Sequence, residues 1–251
     1  MLKILVPVKK VVDYNVQVRP TSDNKSVDIA NVKMGINPFD EIALEEAVRI
    51  KEKSPETTII SISVGRNTVQ DVLRSSLAFG ADRSILVETD LDVGPLQIAK
   101  VLCNIVKSEK PDLILMGKQA IDDDCNQTGQ MLAGMLEWPQ ATFVSEINLQ
   151  EKEVFLKREI DSGVEELKTT LPCVVTVDLR LNNPRFISLP NIIKAKKKEI
   201  KVLDAKELNI DLARKTKIIE INEPEQREKG EIIQDVDELI DCLKKSGVLN
   251  K

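Results

Sequence analysis

The chain has 251 residues, 42% apolar, 31% charged and only 3% aromatic, an ordinary globular composition long enough for one large domain or two small ones. It contains no histidine, which excludes an imidazole base, a Ser-His or Cys-His nucleophile and a histidine-bound metal, and with them most hydrolases. The net charge of -5, from 36 basic and 41 acidic residues, provides no global field for DNA or an anionic lipid surface.

Cys103, Cys125, Cys173 and Cys242 lie far apart with no CxxC pair, which argues against a disulfide framework or a structural zinc site and points to a reducing compartment. The opening MLKILVPVKK is too brief for a signal peptide, and no stretch approaches the ~18 apolar residues of a membrane span. The expectation is a cytoplasmic bacterial protein, or a mature organellar one in the mitochondrial matrix, with no direct membrane insertion and no nucleic-acid partner.

Apolar, β-branched runs at 2–8, 57–64, 84–87 and 112–116 read as strands, and the stretches between them carry helical periodicity. The clearest helix spans Pro38 to Lys53, with Phe39, Ile42, Ala43, Ala47, Val48 and Ile50 on one face and Asp40 and Glu41 early. Others are expected over 69–78, ending at Gly80, over 95–108 and over 126–137. This alternation predicts an α/β fold with an open, mostly parallel sheet and helices on both faces.

After Pro139 the text turns strand-rich: VFLKREI and GVEELKTT flank Asp161-Ser162-Gly163 as a hairpin, and CVVTVDL reads as a buried strand. An α/β nucleotide-binding domain is therefore expected over 1–184. Residues 194–217 carry nine basic against four acidic residues, which suggests a segment outside the core. A last amphipathic helix is expected over 235–243, on Val236, Leu239, Ile240 and Leu243. Residues 185–251 are accordingly expected to form an exposed loop and a C-terminal arm that packs on a partner chain, having too little apolar content for a core of their own.

The most informative stretch runs from Gly117 to Gly129, between the fourth strand and the fourth helix. In open parallel sheets ligands sit beyond the strands' carboxyl ends, where the amides of a helix N-terminus hold phosphate. Asn126, Gln127 and Thr128 would supply those amides. An ordinary loop capped by Asp124 or Asn126 explains the same residues equally well, and Asp122, Asp123 and Asp124 would repel phosphate unless turned elsewhere. No Walker A loop and no GxGxxG is present, so binding without turnover fits better than nucleotide hydrolysis. Cys125 sits where a helix N-terminus depresses a thiol pKa, but has no histidine to work with. Tyr14 follows the first strand at the edge where ligands gather, and Trp138 reads as core. Leu189 followed by Pro190, Asn191, Ile192, Ile193 and a lysine cluster joins an apolar anchor to a basic patch, as at a docking loop; a solvated face is the plainer alternative.

Five stretches in order, ILVPVKKVVDY, NPFDEIALEEAVRIKE, GKQAIDDDCNQTGQ, REIDSGVEELKTTLPCVVT and LPNIIKAKKK, resemble the beta subunit of electron-transfer flavoprotein, over essentially the whole chain. The resemblance implies an adenine-nucleotide alpha-hydrolase-like fold and a heterodimer with an alpha subunit that carries most of the FAD. This subunit would have no turnover of its own, would hold a structural AMP and would pass electrons from acyl-CoA dehydrogenases, as in fatty acid beta-oxidation, to the membrane-associated electron-transfer flavoprotein quinone oxidoreductase. Its AMP pocket would comprise Pro7, Asn37, Pro38, Phe39, Asp40, Val64, Gly117, Lys118, Gln119, Ala120, Ile121, Asp122, Asp123, Asp124, Cys125, Asn126, Gln127 and Thr128. Many relatives carry alanine at the position of Pro7 and cysteine at that of Asp40 or Val64. Tyr14 would approach the FAD, Glu159 would meet the mobile FAD domain, and Leu189, Pro190, Asn191, Ile192, Ile193, Lys194 and Lys197 would form the recognition loop. DDDCNQTGQ resembles the AMP-binding, non-bifurcating group, whereas bifurcating relatives carry DGDTAQVGP and a second FAD. A bifurcating subunit and a universal-stress-type regulatory protein binding adenine nucleotide remain the alternatives.

Overall fold

The alternation of apolar runs and amphipathic stretches becomes one large sheet and its helices in the computed structural model, which describes residues 1–227 and 229–249. The chain divides into two compact units, Met1–Val18 with Ile29–Lys217, and Arg19–Asp28 with the chain from Ile218 onward.

In the first unit, β1 (Lys3–Pro7) is followed by a short antiparallel ribbon of β2 (Lys10–Val12) and β5 (Met34–Ile36); the intervening β3 (Arg19–Pro20) and β4 (Val27–Asp28) belong to the second unit. Then come α1 (Pro38–Lys53), β6 (Thr58–Gly65), α2 (Gln70–Phe79), β7 (Arg83–Glu88), α3 (Pro95–Glu109), β8 (Leu113–Gly117) and α4 (Thr128–Leu136). The chain continues through β9 (Gln140–Gln150), β10 (Glu153–Ile160), β11 (Gly163–Thr170), β12 (Cys173–Val177), α5 (Leu189–Lys197) and β13 (Ile200–Asp204). The sheet order is β11-β10-β9-β12-β8-β1-β6-β7-β13, parallel except where β10 runs against both neighbours. The fold is α/β, as the alternation predicted.

Central strands such as β1, β8 and β12 are almost wholly apolar in their interiors because both faces are covered, with Thr176 of β12 the buried polar exception among these three. On one face α1 and α2 bury Ile42, Ala47, Leu73 and Leu77; on the other α3 and α4 bury Leu102, Ile105 and Leu132. The chain runs from β1 outward to β6 and β7, then returns to place β8 on the other side of β1. The order therefore reverses between β1 and β8, where doubly wound sheets open a crevice.

One segment departs from expectation. The lysine-rich stretch read as lying outside the core supplies β13, which pairs in parallel with β7 and extends the sheet. Ala195, Ile200, Ala205 and Leu212 are buried. Four small or apolar contacts suffice at an edge, where Lys196, Lys197, Lys201 and Lys206 stay exposed and Lys198 turns back to the Ala81 carbonyl. The expected exposed loop is itself the short helix α5, packed on α2.

In the second unit, β3 and β4 pair as a two-stranded ribbon, and the Ile221 amide donates to the Asn24 carbonyl at 2.8 Å. Helix α6 (Val236–Lys245) starts at Asp235, whose Oδ1 accepts the Glu238 amide at 2.9 Å. It buries none of its residues, and Val236 and Leu239 are exposed.

Candidate functional site

At the carboxyl ends of β1, β6 and β8 lies a cleft of ≈ 270 Å³, close to the lower end of the roughly 300–1,000 Å³ usual for small-molecule sites. Pro7 and Val8 end β1, Ile62, Ser63 and Val64 end β6, and Met116 and Gly117 end β8; all line it. Leu91 to Pro95, with Ile98 and Leu102 of α3, make the opposite wall. Gln127, Thr128 and Gly129 bring the start of α4 to it.

Two glycines set this geometry, through close approach to protein. A Cβ on Gly117 would stand 2.5 Å from Asp40 Oδ1 and 2.6 Å from Phe39 Cβ, so its absence lets α1 touch the end of β8. A Cβ on Gly129 would meet Thr176 Cγ2 at 2.4 Å, so the start of α4 lies directly on β12.

Asn37 and Asp40 join the cleft's loops together. Asn37 donates from Nδ2 to the Gln119 carbonyl at 2.8 Å and accepts the Ile121 amide on Oδ1 at 3.2 Å. Asp40, buried, accepts the Lys9 amide at 2.8 Å and the Gly117 amide at 3.0 Å. Burial outweighs these donors and pushes its carboxyl up to about 7.

The three aspartates turn to protein donors. Lys9 Nζ bridges Asp122 at 2.7 Å and Asp123 at 3.0 Å, while Asp124 accepts from Gln119 Nε2 at 2.7 Å. Burial alone would lower the Lys9 ammonium, but the two carboxylates hold it raised and charged. Asp124 and Asn126 adopt left-handed backbone, φ 46° and 49°, which delays the helix to Thr128. Gln127 is the N-cap and makes no side-chain cap, so the amides of Thr128, Gly129 and Gln130 lack intrahelical acceptors. The set expected from sequence, 126 to 128, is therefore displaced by two residues. The Cys125 thiol is raised, by burial and then by Asp123, contrary to the depression expected at a helix start.

Of the expected pocket residues, Pro7, Asn37, Asp40, Val64, Gly117, Lys118, Gln119, Ala120, Asp123, Cys125, Asn126, Gln127 and Thr128 come together around the cleft. Pro38, Phe39, Ile121, Asp122 and Asp124 are not among its lining: Pro38 is in the first turn of α1, and the Phe39 ring lies 5.3 Å from Lys118 Nζ. Lys118 also sits 4.9 Å from the Phe143 ring and bonds Asp178 at 2.6 Å. Sequence reasoning missed Lys9, Lys10 and the 91–95 wall; the one available signal was Gly94-Pro95 opening a helix just after a strand.

The remaining positions lie elsewhere. Tyr14 is 77% exposed in a turn after β2. Glu159 is half-buried and paired with Arg180. On α5, Leu189 is 69% exposed and Ile193 52%, with Pro190, Asn191, Ile192, Lys194 and Lys197 also at the surface. Among the described residues no group of acidic or thiol side chains forms a metal site, and no helix is long and apolar enough to cross a membrane.

These features define an α/β protein of the doubly wound type with a cleft at its switch point. The family described as electron transfer flavoprotein domain matches residues 26–208. The chain is 51% identical over 248 residues to the electron transfer flavoprotein subunit beta of Dictyostelium discoideum, covering 99% of both chains. It is 53% identical over 245 residues to the mitochondrial subunit beta of Arabidopsis thaliana, covering 97% of this chain and 98% of that one. It is 48% identical over 249 residues to the subunit beta of Bradyrhizobium diazoefficiens, at 99% and 100% coverage. The chain belongs to the electron transfer flavoprotein family, and within it to the beta subunits.

Proposed function

We propose that this chain pairs with an alpha subunit, holds AMP in the β1/β8 cleft, helps frame the FAD of its partner near Tyr14 and docks acyl-CoA dehydrogenases through α5. Electrons would leave for a membrane quinone oxidoreductase, and the subunit would have no turnover of its own. The observation that carries the nucleotide reading is the uncapped start of α4 at the cleft, beside three aspartates already bound by Lys9 and Gln119. Free amides and the helix dipole favour a phosphate there, and Lys9 offsets part of the aspartates' charge while the Gln119 amide turns Asp124 to a protein donor. Ile62, Val93, Ile98 and Leu102 offer an apolar wall for a base. The small volume favours a mononucleotide, and hence the non-bifurcating group, over a second FAD.

The flavin, when bound, supplies one- and two-electron chemistry; the residues of this chain bind, orient and exclude water. The apolar face of α6 supports the expectation that the C-terminal arm packs on the partner, since Val236, Leu239, Ile240 and Leu243 have little reason to share one stripe otherwise.

The test is to co-express the chain with the neighbouring alpha-subunit gene product, denature the purified complex and identify the released nucleotides by mass spectrometry. One AMP and one FAD per heterodimer are expected. Two FAD without AMP would make it a bifurcating type, and adenine nucleotide without flavin or partner would favour a regulatory protein.

A further inference from the structure

Helix α5 has nine residues, no side-chain N-cap, a last turn holding Lys194, Lys196 and Lys197, and one buried residue, Ala195. A helix this short is marginal by itself, so its order comes from what grips it. At its C-terminal end Arg74, on α2, donates from Nη1 to the Ala195 carbonyl at 2.7 Å and also to the Lys198 carbonyl. Lys198 Nζ in turn donates to the Ala81 carbonyl at 2.7 Å. The Ala195 carbonyl also accepts the Lys198 amide at 3.1 Å, so the guanidinium adds a second, charged donor at this end of the helix and complements its dipole.

At the other end, Arg185 precedes the N-cap Ser188 by three residues and lies between two carboxylates of α1. It donates to Glu45 from Nε at 2.8 Å and Nη2 at 3.0 Å, and to Glu52 from Nη1 at 2.5 Å and Nη2 at 3.1 Å. Its backbone amide reaches Glu45 at 3.1 Å. Glu45 is 2% exposed by residue and bound on its other side by Arg49 at 2.7 Å. Burial would raise the Glu45 carboxyl, but Arg185 and Arg49 hold it below its ordinary value.

We propose that Arg74 and Arg185 are positioning residues that clamp the two ends of α5 onto α2 and α1 and so preorganise Leu189, Ile192 and Ile193 for docking. The inference rests on the docking role given to α5 above. Its physical content is entropic: a presented helix already ordered loses less freedom when a partner closes on it. A merely fold-stabilising role would affect the whole molecule, whereas a clamp affects one segment and one binding step.

The test uses the heterodimer with bound flavin. Arg74→Met and Arg185→Gln are each expected to speed amide exchange in residues 188–198 about tenfold and to raise the KM for a purified acyl-CoA dehydrogenase, with flavin content and kcat unchanged. Arg74→Lys, which keeps a cationic donor, is expected to stay near wild type, and Glu52→Gln, which removes only the exposed half of the second clamp, to fall between. Leu189→Ala should raise KM while leaving exchange as it is. Wild-type exchange in both arginine variants overturns the clamp, as does a uniform rise across the whole chain. An unchanged KM in Leu189→Ala instead overturns the docking role of α5, and the exchange data still decide whether the clamp exists.

Discussion

Asp40 and Gly117, 77 residues apart in the chain, meet through a 3.0 Å hydrogen bond in which a buried carboxylate on α1 accepts the amide at the end of β8. The same carboxylate accepts the Lys9 amide, so one side chain joins three pieces of the cleft. Its carboxyl is pushed up to about 7 by burial, from 3.8. Between those values the folded protein holds a proton that the unfolded chain has released, so this group's contribution to stability is fully present below pH ~4 and is lost as pH rises towards 7. Relative to Asp40→Asn, which cannot titrate, the wild type should lose on the order of 2–4 kcal/mol across that window. Denaturant unfolding of both at several pH values reads the difference; parallel curves would show that Asp40 does not titrate there.

Gly117→Ala and Gly129→Ala place a Cβ 2.5 Å from Asp40 and 2.4 Å from Thr176 respectively. Each should cost about 1–3 kcal/mol, measured as a lower denaturant midpoint, and Gly129→Ala should also reduce nucleotide retention by lifting the start of α4. Full stability in either variant would mean that α1 or α4 shifts freely, contrary to the packing seen.

Replacing Thr128 by a bulky residue should lower the AMP recovered from the heterodimer and the heterodimer yield. Normal nucleotide content in Thr128→Trp counts against the phosphate position at α4.

Charge reversal across Lys194, Lys196 and Lys197 should slow association with a dehydrogenase at low salt, and the difference should shrink as salt approaches ~1 M. Stopped-flow rates over a salt series decide it; a salt-independent effect would mean these lysines only solvate α5.

Cys125 should alkylate slowly near neutral pH, because burial and Asp123 both raise its thiol, and Cys173, pushed up to about 12 by burial, should resist entirely in the folded chain. Asp123→Asn should speed Cys125 labelling a few-fold; no change would assign the low reactivity to burial alone.

The parallel sheet strands and the helices of the first half were legible because their signals are local: doubly buried strands are continuous apolar runs, and α1 has Pro38 in its first turn and a clear apolar face, whereas the two- and three-residue strands β2 to β5 are too short to leave such a signal. What was not legible depends on distant partners. Glu45 and Glu46 sit on the polar side of α1, yet are buried because Arg185 and Asn182 return from the chain after β12 to cover them. α5 looks like a basic loop until its packing on α2 and the Arg74 contacts at its C-terminal end are seen, and β13, whose Ile200, Val202 and Leu203 do read as a strand, joins the main sheet only by pairing with β7 more than a hundred residues earlier, which no local signal announces. At the cleft, position in the topology located the Gly117–Thr128 loop, but left-handed backbone at Asp124 and Asn126 moved the free amides two residues on.

The sheet ends at β11 on one side and β13 on the other. Such edges expose unpaired peptide groups and invite addition of strands from other molecules. Here the β11 edge carries Glu165, Glu166 and Lys168 in a cross-strand lattice with Arg158, Lys157 and Glu153, and β13 carries Lys201. A chain with such edges is guarded against self-association through its sheet, even though Leu189 of α5 and Val236 of α6 leave apolar side chains exposed elsewhere on its surface.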